Sequence, residues 1–304
     1  MMHTRVGGAL LVFTLLLGLA GGLHAPAAAR APQAQRKFAV FVISRGGEAG
    51  RFQVEPVAVF DGRGAFDEPD APASFAERYY KPGTKYRFLY GGAEAGSVTI
   101  RGASAGECAS SAASAAVSTN AKLGRDAMAL ATDATLKLRA RGSRRTPTAG
   151  ERLGALRLAK SILKQHRVNA SALVRTTALD LTATDLDGDG REELVGTYLV
   201  RTGPKVRDEL FLVAAPQGGG YVAAFQKYDR INAREMMDAS AIGEVGKGGF
   251  LAEMFIDQLD ADGDGVAEFF TAAGSFEGTT YKVYRREGGT WRSVYEHYSY
   301  RCAY

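Results

Sequence analysis

Cysteine is almost missing from this chain: Cys108 and Cys302 are the only two among 304 residues. A disulfide framework is therefore excluded, and an exported chain could form one bridge at most, from the small-residue stretch near 108 to the extreme C-terminus. The alternative is two unpaired thiols. A loop that long would stabilise by up to about 5 kcal/mol in the chain-entropy picture. Histidine is scarce too. Four are present, and only His166 and His297 lie beyond the apolar start of the chain. Charge of one sign is lacking: the formal net charge is +5, which points to no particular polyanion. After residue 29 no apolar run is long enough to span a bilayer.

What is present begins with a leader. Residues 1–29 carry one cation, Arg5, then an apolar core at 9–20 and the small residues Ala27-Ala28-Ala29. That order reads as a secretory signal peptide and predicts a secreted or periplasmic product. About 275 residues remain, enough for real cores.

Residues 30–119 read as a β-rich region. Runs at 38–43 and 52–60, and again at 86–90 and 97–101, flank glycine-containing loops and suggest two hairpins. Tyr79-Tyr80-Lys81-Pro82-Gly83 is either a ligand-stacking edge or half-buried packing, and packing is the commoner use of such tyrosines. Gly102-Ala103-Ser104-Ala105-Gly106 matches G-x-S-x-G. Ser104 would be a hydrolase nucleophile only on a strand-to-helix elbow, whereas the flanking pattern is antiparallel. Residues 120–170 link the halves through a strand at 127–138, a basic turn (Arg139, Arg141, Arg144, Arg145) and a helix at 151–167. Ala155, Leu158, Ala159 and Ile162 share one helical face, and Arg157, Lys160, Ser161 and Lys164 the opposite one. Such a helix packs its apolar face on a sheet; the basic face and turn leave open a polyanion or membrane-surface binder.

The most informative stretch occurs twice. Asp185-Leu186-Asp187-Gly188-Asp189-Gly190-Arg191-Glu192-Glu193 has acids at positions one, three, five and nine, and Asp260-Ala261-Asp262-Gly263-Asp264-Gly265-Val266-Ala267-Glu268 keeps all four. Closely spaced carboxylates suit a hard cation such as Ca²⁺, which takes several oxygens in flexible geometry. Glycine at positions four and six permits tight curvature. The expected ligands are Asp185, Asp187, Asp189 and Glu193 with the carbonyl of Arg191, then Asp260, Asp262, Asp264 and Glu268 with the carbonyl of Val266. An EF-hand would need Glu at position twelve, where Gly196 and Thr271 stand, and helices on both sides. The following runs, 194–200 and 269–272, read as strands.

The repeat extends beyond the loops. Gly218-Gly219-Gly220-Tyr221 corresponds to Gly288-Gly289-Thr290-Trp291, and Phe225 and Tyr228 to Tyr295 and Tyr298. Residues 171–304 thus read as two units, 171–230 and 249–304. Each is a four-stranded antiparallel meander with its loop between strands one and two. The acid-nine loop with a strand after it resembles the calcium loop of FG-GAP/VCBS repeats in integrin-type β-propellers, over residues from about 173 to the C-terminus. The resemblance implies propeller-blade-like sheets and two Ca²⁺ sites.

The predicted fold class is mainly β (α+β): antiparallel meanders with one packed amphipathic helix. Two units do not close a propeller. Either the N-terminal strands supply further blades or the meanders pack as a sandwich, and a non-closed arrangement is favoured. The expected role is structural or binding, at the cell exterior, toward a protein or glycan partner, with no specific nucleic acid. A serine hydrolase through Ser104 is the alternative from another class.

Overall fold

The run from 38 to 43 is apolar at every position, so a strand made from it must be covered on both faces. The computed structural model describes residues 37–45, 51–104, 112–124, 128–232, 252–275 and 278–300. In it β1 (Phe38–Arg45) places Ala39, Phe41 and Ile43 in one core and Phe38, Val40 and Val42 in another. Its partner β2 (Phe52–Phe60) holds Pro56, which has no N–H for a ladder. The register slips there: Phe41 faces Pro56 while Val40 faces Ala58, leaving Val57 as the bulged residue.

Four further strands, β4 (Lys85–Tyr90), β5 (Ala93–Ala103), β6 (Ala113–Thr119) and β7 (Ala129–Thr132), complete a ring. A two-residue strand, β3 (Phe66–Asp67), extends the far end of β2. The order β1-β7-β4-β5-β6-β2, with β2 paired back to β1, closes an antiparallel six-stranded barrel, which abolishes sheet edges. Both expected hairpins are present, β1–β2 and β4–β5. The N-terminal strands are therefore not propeller blades. The strand expected at 127–138 shrinks to β7, and it belongs to the barrel rather than to a linker. At its end, the Thr132 hydroxyl donates to Ala39 O, and just past it the Asp133 carboxylate accepts Ala39 N–H. The ambiguous stretch at 75–80 is mostly helix, α1 (Pro72–Tyr79). It inserts Phe75 and Tyr79 among Phe41, Tyr80 and Tyr86. Tyr79 and Tyr80 are 5% and 2% exposed, so packing, not ligand stacking, is their use.

The two meanders form as the pattern predicts. The first holds β8 (Thr177–Thr184), β9 (Glu193–Gly203), β10 (Val206–Gln217) and β11 (Gly220–Asn232). The second holds β12 (Met254–Leu259), β13 (Glu268–Gly274), β14 (Gly278–Glu287) and β15 (Thr290–Tyr300). Strand neighbours in each follow chain order. Alternation along β10 sends Phe211 and Val213 toward the second meander, and Leu210, Leu212 and Ala214 toward the helical layer. That layer is α2 (Ala149–Gln165) with the short α3 (Ala170–Leu173). A capping box between Thr148 and Glu151 starts α2 two residues before the expected position. Ala155, Ala159, Ile162 and Leu163 are its buried face.

The second meander is covered twice. Phe255, Phe269, Tyr284 and Trp291 meet the first meander, and Ile256, Phe270, Tyr281 and Val283 meet the barrel. The layers run helices, first meander, second meander, barrel. Of the two arrangements open from sequence, face-to-face packing of the meanders is the one found. Among the described residues no helix is long and apolar enough to cross a bilayer. The leader expected at 1–29, both cysteines, and the helical turn expected at 233–238 lie outside the described residues.

Candidate metal centre

Each acidic loop joins the first two strands of its meander, β8 to β9 and β12 to β13. Both close on the same hydrogen bonds. Asp185 accepts the N–H of Gly188 at 2.8 Å and of Gly190 at 3.2 Å; Asp260 accepts those of Gly263 at 2.8 Å and Gly265 at 3.0 Å. Asp187 and Asp262 accept the N–H two residues on, as do Asp189 and Asp264. The ninth residue opens the next strand, and its carboxylate reaches back to position two: Glu193 takes Leu186 N–H and Glu268 takes Ala261 N–H, both at 2.9 Å. The side chains of Leu186 and Ala261 are fully buried and anchor each loop to a core. Gly188, Gly190, Gly263 and Gly265 have φ of 75°, 83°, 78° and 96°, in the left-handed region that glycine occupies without penalty.

In the first loop, oxygens of Asp185, Asp187 and Glu193 lie within 4.8 Å of one another; in the second, those of Asp260, Asp262 and Asp264 do. Two acidic clusters that could hold metal ions are thus brought together. Asp189 stands outside the first group and is exposed. Glu268 stands outside the second, is 1% exposed, and binds Arg285 Nε at 2.6 Å. The donors are all oxygen, which suits a hard cation.

Three arginines meet these acids, and none was legible from the loop motif. Arg286 Nη1 lies 2.7 Å from Asp187 Oδ2, and Arg285 Nε lies 3.6 Å from Asp262 Oδ2. Arg139 Nη1 donates to Asp185 O and lies 3.8 Å from Asp185 Oδ2; its Nη2 reaches Gly265 O at 3.3 Å. The carboxylates still outnumber the guanidiniums at each loop, so repulsion is unrelieved. Burial first, then Asp187 and Asp185, push Glu193 up to about 7. Burial and Asp262 do the same to Glu268, also to about 7. Asp260 and Asp262 are raised, mainly by burial. The only hint of Arg285-Arg286 in the sequence was an asymmetry: Ala215-Pro216 stands at the matching place in the first repeat.

The loops touch. Ala267 N–H donates to Leu186 O at 2.9 Å, and a Cβ on Gly188 would lie 2.8 Å from Gly265 O. Gln258 Nε2 of β12 donates to Asp185 O at 3.1 Å. A single guanidinium, Arg139, therefore spans two loops that share a backbone hydrogen bond.

The other candidates fare differently. Ser104 is exposed, and its N–H pairs with Ala112 O as β5 passes to the antiparallel β6. The parallel strand-to-helix frame of a nucleophile elbow is not formed there, and Ala105 and Gly106 lie outside the described residues. His166 stacks on Tyr228 with ring centroids 3.9 Å apart, and His297 lies on β15. Three of the four arginines of the basic turn are engaged internally, and Arg141 is exposed. Arg139 serves the loops, Arg144 is buried beside Asp257 at 3.6 Å, and Arg145 bonds both Glu151 and Glu192. Comparison with family models, with curated proteins and with solved structures finds no match for the chain.

Proposed function

We propose that the two loops bind Ca²⁺ and that the protein is an exported, calcium-stabilised β-repeat protein with a structural or binding role at the cell exterior. One observation carries this reading: the same acid spacing closes twice on the same hydrogen bonds, and each time gathers three carboxylates within 4.8 Å. An all-oxygen set on an irregular loop favours Ca²⁺ over Mg²⁺, which demands near-ideal octahedral geometry. The FG-GAP/VCBS resemblance supports the same ion. The signal-like leader supports export, toward a protein or glycan partner. The ions act as clips: they relieve repulsion among the closely spaced acids of each loop.

The test is thermal unfolding of metal-stripped protein with and without added calcium. Calcium raises the midpoint, and Asp187→Ala or Asp262→Ala removes part of the rise. A midpoint indifferent to both calcium and chelator defeats the proposal.

A further inference from the structure

From Arg152 to Leu179 the chain contains no Asp or Glu, yet it carries six cations: Arg152, Arg157, Lys160, Lys164, Arg167 and Arg175. Elsewhere the signs are interspersed, as soluble surfaces usually are; the barrel, for example, sets Lys81 and Lys85 near Asp70 and Glu77 in sequence. The acid-free span covers α2 after its first turn, α3 and their connection, the outermost layer of the stack. Helical spacing concentrates the charge further. Leu153, Arg157, Lys160 and Lys164 follow one another at intervals of four, three and four residues, which is a single stripe, and Arg167 lies just past the helix end, in the turn after the C-cap His166. The stripe lies opposite the face that packs on the first meander. Arg157, Lys164 and Arg167 are exposed and Lys160 half-exposed. None of these four is ion-paired among the described residues, whereas Arg139, Arg144 and Arg145, outside the stripe, all are.

Two aliphatic side chains of the same acid-free span are also exposed. Leu153 begins the stripe at 53% exposure, and Val174, just after α3, is 78% exposed. Cations interspersed with exposed aliphatics suit a lipid surface, where headgroups take the charge and the boundary below takes the methyls. A nucleic acid would use the cations but gain nothing from the aliphatics.

We infer that the layer of α2, α3 and their connection presents a docking surface for an anionic phospholipid bilayer, held by charge with the two exposed aliphatics as shallow anchors. This is independent of cation binding by the loops. With neither a deep apolar face nor a spanning helix on this layer, attachment is peripheral and reversible, and it weakens as salt shortens the Debye length.

The experiment is co-sedimentation of the full chain with vesicles of phosphatidylcholine alone, or of phosphatidylcholine with roughly one-third phosphatidylglycerol, at fixed calcium. The protein sediments with the anionic vesicles and not the neutral ones, and raising salt from about 0.05 to about 0.5 M releases it. Arg157→Glu, Lys160→Glu and Lys164→Glu together lower partitioning at least about tenfold. The same charge change on exposed barrel positions (Lys81→Glu, Lys85→Glu, Arg101→Glu) leaves most of it. Circular dichroism melting shows that both triple variants fold. Absence of sedimentation with anionic vesicles overturns the inference. So does equal loss in the barrel variant, and so does duplex DNA binding at the same salt without vesicle binding.

Discussion

Gly188 and Gly190 both sit at positive φ in one loop, but a Cβ meets different surroundings at each. At Gly188 it would lie 2.8 Å from Gly265 O; at Gly190 nothing stands within 4 Å. Alanine at 190 therefore incurs only the left-handed penalty of about 1–2 kcal/mol. Alanine at 188 adds a clash that pushes the loops apart, so Gly188→Ala should lower the unfolding midpoint more than Gly190→Ala and weaken calcium binding at both loops. Equal effects would mean that the loops do not bear on each other. The acids give a second residue-scale prediction. Glu193 and Glu268, raised to about 7 in the fold, keep near 4.3 when unfolded. The folded, ion-free state thus binds more protons across that window. Their contribution to stability is full below about pH 4 and is lost as pH rises through 7. Metal-stripped protein should therefore lose stability between about pH 4.5 and 7 through these groups, and saturating calcium should flatten that slope. Glu193→Gln with Glu268→Gln should flatten it as well, without calcium.

At the scale of elements, the meanders show what period alone can and cannot deliver. Their eight strands, their turns and the loop positions were legible, because acidic loops and glycine turns punctuate alternating apolar runs. The inter-sheet core follows from that alternation. Phe269 stacks on Tyr284 at 4.6 Å and on Phe211 at 5.9 Å, and is fully buried. Phe269→Ala should cost about 3–5 kcal/mol in denaturant unfolding. A cost under about 1 kcal/mol would mean the two meanders do not share that core. What was not legible is contact between distant elements. The barrel is closed by β7, four residues whose pairing with β1 spans some ninety positions of chain, and no local pattern announces such a partner. The burial of Tyr79 and Tyr80 depends on the same closure. The candidate site divides in the same way. The acids were readable as a spaced motif, whereas Arg139, Arg285 and Arg286 arrive from other strands and turns and carry no spacing signal.

At the scale of the whole molecule, stability depends on the joints between layers. The buried junction of barrel and second meander is held by Asp257, fully buried, whose carboxylate takes Gly91 N–H at 2.9 and 3.0 Å and faces Arg144 at 3.6 Å. Arg144 in turn donates to Met128 O at 3.0 Å and to Ile256 O at 2.5 Å, and lies over Tyr90 and Phe255. Removing one partner of a buried pair leaves the other charge uncompensated, so Arg144→Ala should destabilise by about 3–5 kcal/mol. A near-neutral result in urea unfolding would show that the joint is not what unites barrel and repeats.

The account as a whole stands on the two acidic loops. Its most direct test is calorimetric titration of calcium into metal-stripped protein. Two ions should bind per chain with dissociation constants of about 10⁻⁴ to 10⁻³ M or tighter, falling to one in Asp262→Ala. A titration that shows no saturable heat up to roughly ten times that range, on protein that circular dichroism shows to be folded, contradicts it.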